Sequence, residues 1–113
     1  MSKAAKKVLQ LLQKAFPSYR INQEHYVLYQ NTRLLFDFYL PELKVLIEVQ
    51  GEQHFTFNSF HYYSKNNLTD QILRDKLKTQ WVDELELKLL VLTEEDIKDL
   101  TLKSLRDLIV NLV

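Results

Sequence analysis

The chain has 113 residues, 46% of them hydrophobic, with no cysteine, one glycine, and 15 basic side chains balanced by 15 acidic ones. Such a length makes residues 1–113 a single domain with one core. The missing thiols exclude disulfides and thiolate-ligated zinc or iron–sulfur centres. The opening MSKAAKKVLQLLQKAF has no long apolar run, so neither a signal peptide nor a membrane span is expected, and a cytoplasmic protein is the default. Charge is spread unevenly: Lys3 to Arg20 carries bases and no acids, while acids outnumber bases after Trp81. A DNA-facing side with an acidic back reads this way, and so does a solvated basic helix.

Residues 3–16 predict an amphipathic helix, with Val8, Leu11, Leu12 and Ala15 on one face and Lys3, Lys6, Lys7 and Lys14 mostly on the other. Phe16-Pro17-Ser18 ends it. Residues 25–30, HYVLYQ, predict a strand leading into a turn at Gln30-Asn31. Strands at 33–40 and 44–50 flank Pro41-Glu42-Leu43. A turn centred between Glu42 and Leu43 puts Asp37 opposite Glu48, with Cα atoms roughly 4.5–5.5 Å apart. A register change of one residue would lose that pairing.

The period of two places Glu48 and Gln50 on one sheet face and Val45, Ile47 and Val49 on the other, which the first helix is expected to cover. Two carboxylates among apolar neighbours need partners, because burying an unpaired charge is costly. A bound metal ion would serve; so would ion pairs with Arg33, Lys44 or Arg74. Gly51 breaks the third strand. Residues 56–68, TFNSFHYYSKNNL, predict an aromatic-rich loop whose His61, Tyr62 and Tyr63 suit stacking on bases or meeting a second subunit.

Thr69 is expected to cap a helix over 70–84 that buries Ile72, Leu73, Leu77, Trp81 and Leu85. Within it Arg74, Asp75, Lys76 and Lys78 could line DNA or support the site from the helix; a solvated face is the leading reading for Lys76 and Lys78, and Arg74 is the better candidate for the site. Residues 87–92 predict a short buried strand, parallel to its neighbour because a helix separates them. Thr93-Glu94-Glu95-Asp96 starts a further helix, and Thr101 a last one carrying Leu102, Leu105, Leu108, Ile109 and Leu112.

With this order, the phrases Phe36-Asp37-Phe38-Tyr39-Leu40-Pro41, Leu46-Ile47-Glu48, Gly51-Glu52-Gln53-His54-Phe55 and Gln71 to Lys78 resemble the PD-(D/E)XK nuclease superfamily. They are most similar to its small branch of very-short-patch-repair and phage homing endonucleases. The resemblance implies an α/β, restriction-endonuclease-like core, α-β-β-β-α-β, with a mixed sheet flanked by helices. It implies a Mg²⁺-dependent DNA endonuclease that hydrolyses phosphodiester bonds, with Mn²⁺ able to substitute. By carry-over Asp37 and Glu48 are metal ligands together with the carbonyl of Val49, a set that suits a hard ion retaining several waters. Gln50 stands at the position usually held by a catalytic lysine; it can position water and contact phosphate. Gln53 and His54 would bind phosphate, hold the attacking water or protonate the leaving oxygen.

Arg74, Lys6 and Lys7 are the candidate DNA contacts. The partners implied are DNA and either a second copy or a separate DNA-reading protein, in a bacterial or phage-encoded setting. Two departures stand out: Gln50 replaces the lysine, and the first helix opens Ser2-Lys3-Ala4-Ala5 without the branch's glutamate. They leave open a degenerate nuclease fold that binds nucleic acid or protein without cutting. A small interaction module is the reading outside the family.

Overall fold

The computed structural model describes residues 1–50 and 65–113, the side chains of 65–69 excepted. The expectations for Gly51, Gln53, His54, His61, Tyr62 and Tyr63 lie outside the described residues. Helix α1 (Lys3–Ala15) starts on Ser2, whose hydroxyl accepts the Ala5 N–H at 3.1 Å, and it buries Ala5, Val8, Leu12 and Ala15. Strands β1 (Asn22–Tyr29), β2 (Thr32–Leu40) and β3 (Val45–Gln50) follow, then helix α2 (Lys65–Glu84), strand β4 (Lys88–Thr93) and helices α3 (Glu94–Lys98) and α4 (Leu102–Leu112). The sheet runs β1-β2-β3-β4, antiparallel across the first two contacts and parallel across the last, which makes a mixed α/β fold.

Turn chemistry fixes the meander. Gln30 and Asn31 both hold positive φ, 50° and 61°, as a tight two-residue hairpin requires. Gln30 therefore belongs to the turn, and β1 instead gains Asn22 to Glu24 at its start. Lys44 (φ 57°) closes the second turn after Pro41, and β2 meets β3 with Phe38 opposite Ile47, Tyr39 opposite Leu46 and Leu40 opposite Val45. That register is the one the sequence predicts.

Helix α2 differs from expectation at both ends of the argument. It begins at Lys65, so Thr69 lies inside it rather than capping it. No glycine or proline stands between Lys65 and Thr69 to stop a helix once it has formed downstream. Its buried positions are Leu77 and Val82, with Trp81 partly covered, while Ile72, Leu73 and Leu85 are exposed at 56%, 52% and 52%. Among the described residues the buried sheet positions facing α2 are Leu34, Phe36 and Leu46, which meet the helix at Leu77 and Val82, and Leu85 falls beyond its end. In α4 the buried positions are Leu105 and Ile109; Leu102 and Leu108 stay exposed.

The two sheet faces have separate cores. Phe38, Leu40, Val45, Ile47 and Leu92 pack with Val8 and Leu12 of α1, Ile97 of α3, and Leu105 and Ile109 of α4. Leu34, Phe36 and Leu46 pack with Leu77 and Val82 of α2. Four even-numbered positions of β2 thus divide between opposite faces, which strict alternation forbids. One break is needed, and it falls at Asp37. Across from Asp37 on β1 stands Glu24, whose φ of 49° takes it out of strand geometry and whose place is missing from the β1–β2 register. The break is a bulge-like kink that turns the far half of the hairpin toward α2.

Candidate active site

The β2–β3 pairs stop at Phe38 and Ile47, and continuing the register one step brings Asp37 opposite Glu48. Here the strands exchange a ladder bond for a side-chain one. Asp37 Oδ2 accepts the backbone N–H of Val49 at 2.7 Å. A carboxylate bonded to a backbone N–H makes a strong, charge-assisted contact, and this one holds the Asp37 side chain against β3. The kink at Asp37 is what frees it for that role.

Glu48 faces α2. Its Oε1 accepts from Nζ of Lys78, and the two side chains are only 14% and 18% exposed. The Lys78 ammonium also lies 5.4 Å from the centre of the Phe36 ring, a cation–π arrangement in a mostly dry setting. Phe36 in turn leans on Trp81, ring centres 5.4 Å apart. Lys78 is thus held by Glu48, an aromatic face and the helix that carries it. The sequence favours Arg74 over Lys78 at the site and leaves Lys78 between a solvated face and a supporting role; the helix delivers Lys78 to Glu48 and leaves Arg74 exposed one turn earlier.

Among the described residues the ion pairs expected with Arg33, Lys44 or Arg74 do not form at Glu48. Arg33 instead lies over Tyr26, 5.7 Å from its ring centre. Gln50 is exposed at the end of β3 beside Thr93 of β4. Lys6 and Lys7 stand on α1, which covers the other sheet face; Lys7 Nζ donates to the carbonyl of Ile97 at 2.6 Å and, more weakly, to that of Lys98 at 3.3 Å.

The donor set can be tested against a divalent ion. Asp37 commits Oδ2 to Val49 and Glu48 commits Oε1 to Lys78, and no other described residue donates to the second oxygen of either group. Two opposed carboxylates with one oxygen each to offer form a hard, oxygen-only set, which fits Mg²⁺ or Mn²⁺ completed by water and phosphate. The described residues contain no group of three His, Cys, Asp or Glu side chains placed to hold a metal. No helix among them is long and apolar enough to cross a membrane. Comparisons with protein-family models, curated proteins and solved structures returned no match.

Proposed function

We propose that the chain is a divalent-metal-dependent DNA endonuclease with a restriction-endonuclease-like core, in which Asp37 and Glu48 hold the ion and Lys78 supplies the cation that Gln50 cannot. The supporting observations are the Asp37 carboxylate held on the Val49 N–H, the register that sets Asp37 opposite Glu48, and Lys78 of α2 paired with Glu48. When bound, the ion lowers the pKa of a coordinated water and offsets charge on the phosphate oxygens. Asp37, braced by the Val49 N–H through Oδ2, offers its second oxygen to the ion. Glu48 contributes another oxygen from the facing position.

The Lys78 ammonium is placed beside Glu48 in a poorly solvated spot, where its charge acts strongly on a scissile phosphate oxygen. Gln50, exposed at the end of the same strand, hydrogen-bonds phosphate or orients water. Arg74, one helical turn from Lys78, extends the positive side of α2 toward a nucleic-acid backbone. DNA is the substrate proposed.

A second reading has its own support. The Lys78–Glu48 pair neutralises one of the two carboxylates and staples α2 to the sheet, as it would in a nuclease fold that binds but no longer cuts. Incubating supercoiled DNA with the protein in Mg²⁺, Mn²⁺ or EDTA separates the two. Metal-dependent nicking that disappears in Glu48→Ala and falls at least tenfold in Lys78→Met supports the endonuclease. Clean protein that nicks nothing under any metal condition overturns it in favour of the binding module.

A further inference from the structure

Strand β1 is the edge of the sheet, paired on one side with β2 and, among the described residues, with no strand on the other. An open edge exposes a row of unpaired backbone N–H and C=O groups, and strands that remain single are guarded by lysine, proline, an inward charge or a bulge. Between His25 and Tyr29 β1 has none of these. Its guard is Glu24, where the backbone leaves strand geometry. Above the open edge, the hairpin's outer face shows Tyr26 at 60%, Leu28 at 73% and Leu35 at 38% exposure, with Arg33 lying over Tyr26.

We infer that this edge pairs with the same edge of a second copy, antiparallel and centred on Val27, joining two sheets into one. The register follows from three constraints. Residues flanking a two-residue turn exchange hydrogen bonds, so Tyr29, Val27 and His25 direct their backbone groups to β2, and Tyr26 and Leu28 direct theirs to the open edge. A shift of one residue would set the outer face of one copy against the inner face of the other. A shift of two toward the strand start would draw Glu24 into the pairing, out of strand geometry and with its carboxylate against Leu28. Centring on Val27 avoids both.

In that register Tyr26 lies opposite Leu28 of the partner subunit, and the reverse holds across the twofold axis. Because Tyr26 pairs with Leu35 and Leu28 with Arg33 within the hairpin, each row across the junction runs Leu35, Tyr26, Leu28 of the partner subunit, Arg33 of the partner subunit. Apolar side chains meet in the middle and the guanidinium lies at the rim. The edge is its own complement, which is what an isologous interface requires. A short strand pair covers less than the roughly 800 Å² per partner of a standard interface, so the dimer is concentration-dependent. With strands about 4.8 Å apart and a rise of about 3.3 Å per residue, the two Asp37–Glu48 pairs stand roughly 20 Å apart across the strands and roughly 20 Å apart along them, about 28 Å in all.

Sedimentation of the whole chain, without DNA or metal, across the micromolar to near-millimolar range tests this independently of any cleavage. The wild type is expected to pass from monomer to dimer, and Leu28→Lys to weaken dimerisation at least tenfold with an unchanged circular dichroism spectrum. Val27→Cys supplies the only cysteine in the chain. It sits at the twofold as a non-hydrogen-bonded pair with Cα atoms about 4.5 Å apart, within disulfide reach, and is expected to oxidise to a covalent dimer faster than Leu102→Cys. A wild type monomeric throughout, a dimer indifferent to Leu28→Lys, or Val27→Cys cross-linking no faster than Leu102→Cys would each overturn the inference.

Discussion

One face of the sheet is covered by α1, α3 and α4 over a continuous apolar core; the other meets α2 over a small patch that also holds Glu48 and Lys78. Neither face has a fully buried charged residue among those described, but the second places a mostly covered ion pair directly beside Phe36. The division of labour has a physical basis. A charge pair withdrawn from water gives back little net stability even when well paired, so it is best tolerated where a second core carries the fold.

The contrast can be broken by truncation. Phe38→Ala on the α1 side is expected to cost about 3–5 kcal/mol by denaturant titration, a large share of a typical domain's stability. Leu77→Ala on the α2 side should cost nearer 2 kcal/mol, the low end for such a change, because its surroundings are thin and can collapse. Equal costs would mean that α2 is as integral to stability as α1. Next in size, Lys78→Met alone should destabilise by roughly 2 kcal/mol, by leaving Glu48 without its partner. Lys78→Met with Glu48→Gln should cost less than the two single changes together. An additive double-mutant cycle would remove the coupling on which the site's description rests.

Smaller effects sharpen the picture of the α1 side. Thr101 and Ser104 cap α4 reciprocally, and Thr101→Ala should lower stability by about 1 kcal/mol. The Asp96 carboxyl is held below the ordinary carboxylate range, first by the Thr93 backbone N–H and then by the Thr93 hydroxyl. Its folded-state pKa is depressed, so its contribution is present above the usual carboxylate pKa of about 4 and is lost as pH falls through the folded value. Asp96→Asn should lower the melting temperature slightly at neutral pH and leave it nearly unchanged at the acid end, so that the acid limb is flatter. A steeper acid limb in the variant would contradict the capping geometry.

The register that opposes Asp37 to Glu48 was legible because Pro41 fixes a turn and β3 alternates cleanly, so the pairing follows from position alone. The parallel β4 was legible from a helix standing between two strands. Lys78 was ranked below Arg74 although a signal favoured it: Arg74, Leu77, Lys78 and Trp81 share one helical face at i, i+3, i+4 and i+7. Grouping Lys78 with the neighbouring charges hid that it accompanies buried residues. The buried stripe of α2 was overdrawn because periodicity says which face is apolar, not how far the sheet extends beneath it. The kink at Asp37 was invisible because β2 is apolar on both sides of it, Leu34-Leu35-Phe36 and Phe38-Tyr39-Leu40, and so favours neither face; the break appears only when helices claim Phe36 and Phe38 on opposite sides.

The order of the strands also sets how the chain assembles in time. β1, β2 and β3 are sequential neighbours joined by short turns, so the meander closes through local loops that form on the microsecond scale. β4 reaches β3 only after the chain has passed through the whole of α2, as Val45 beside Lys88 shows, and that closure is the slow, non-local step. Leu92, Ile97 and Leu105 follow it in sequence, so the large core waits on β4 docking while the hairpins are already in place. Mutations at Leu92 should therefore slow refolding, and mutations in the Gln30-Asn31 turn should act on its earliest phase.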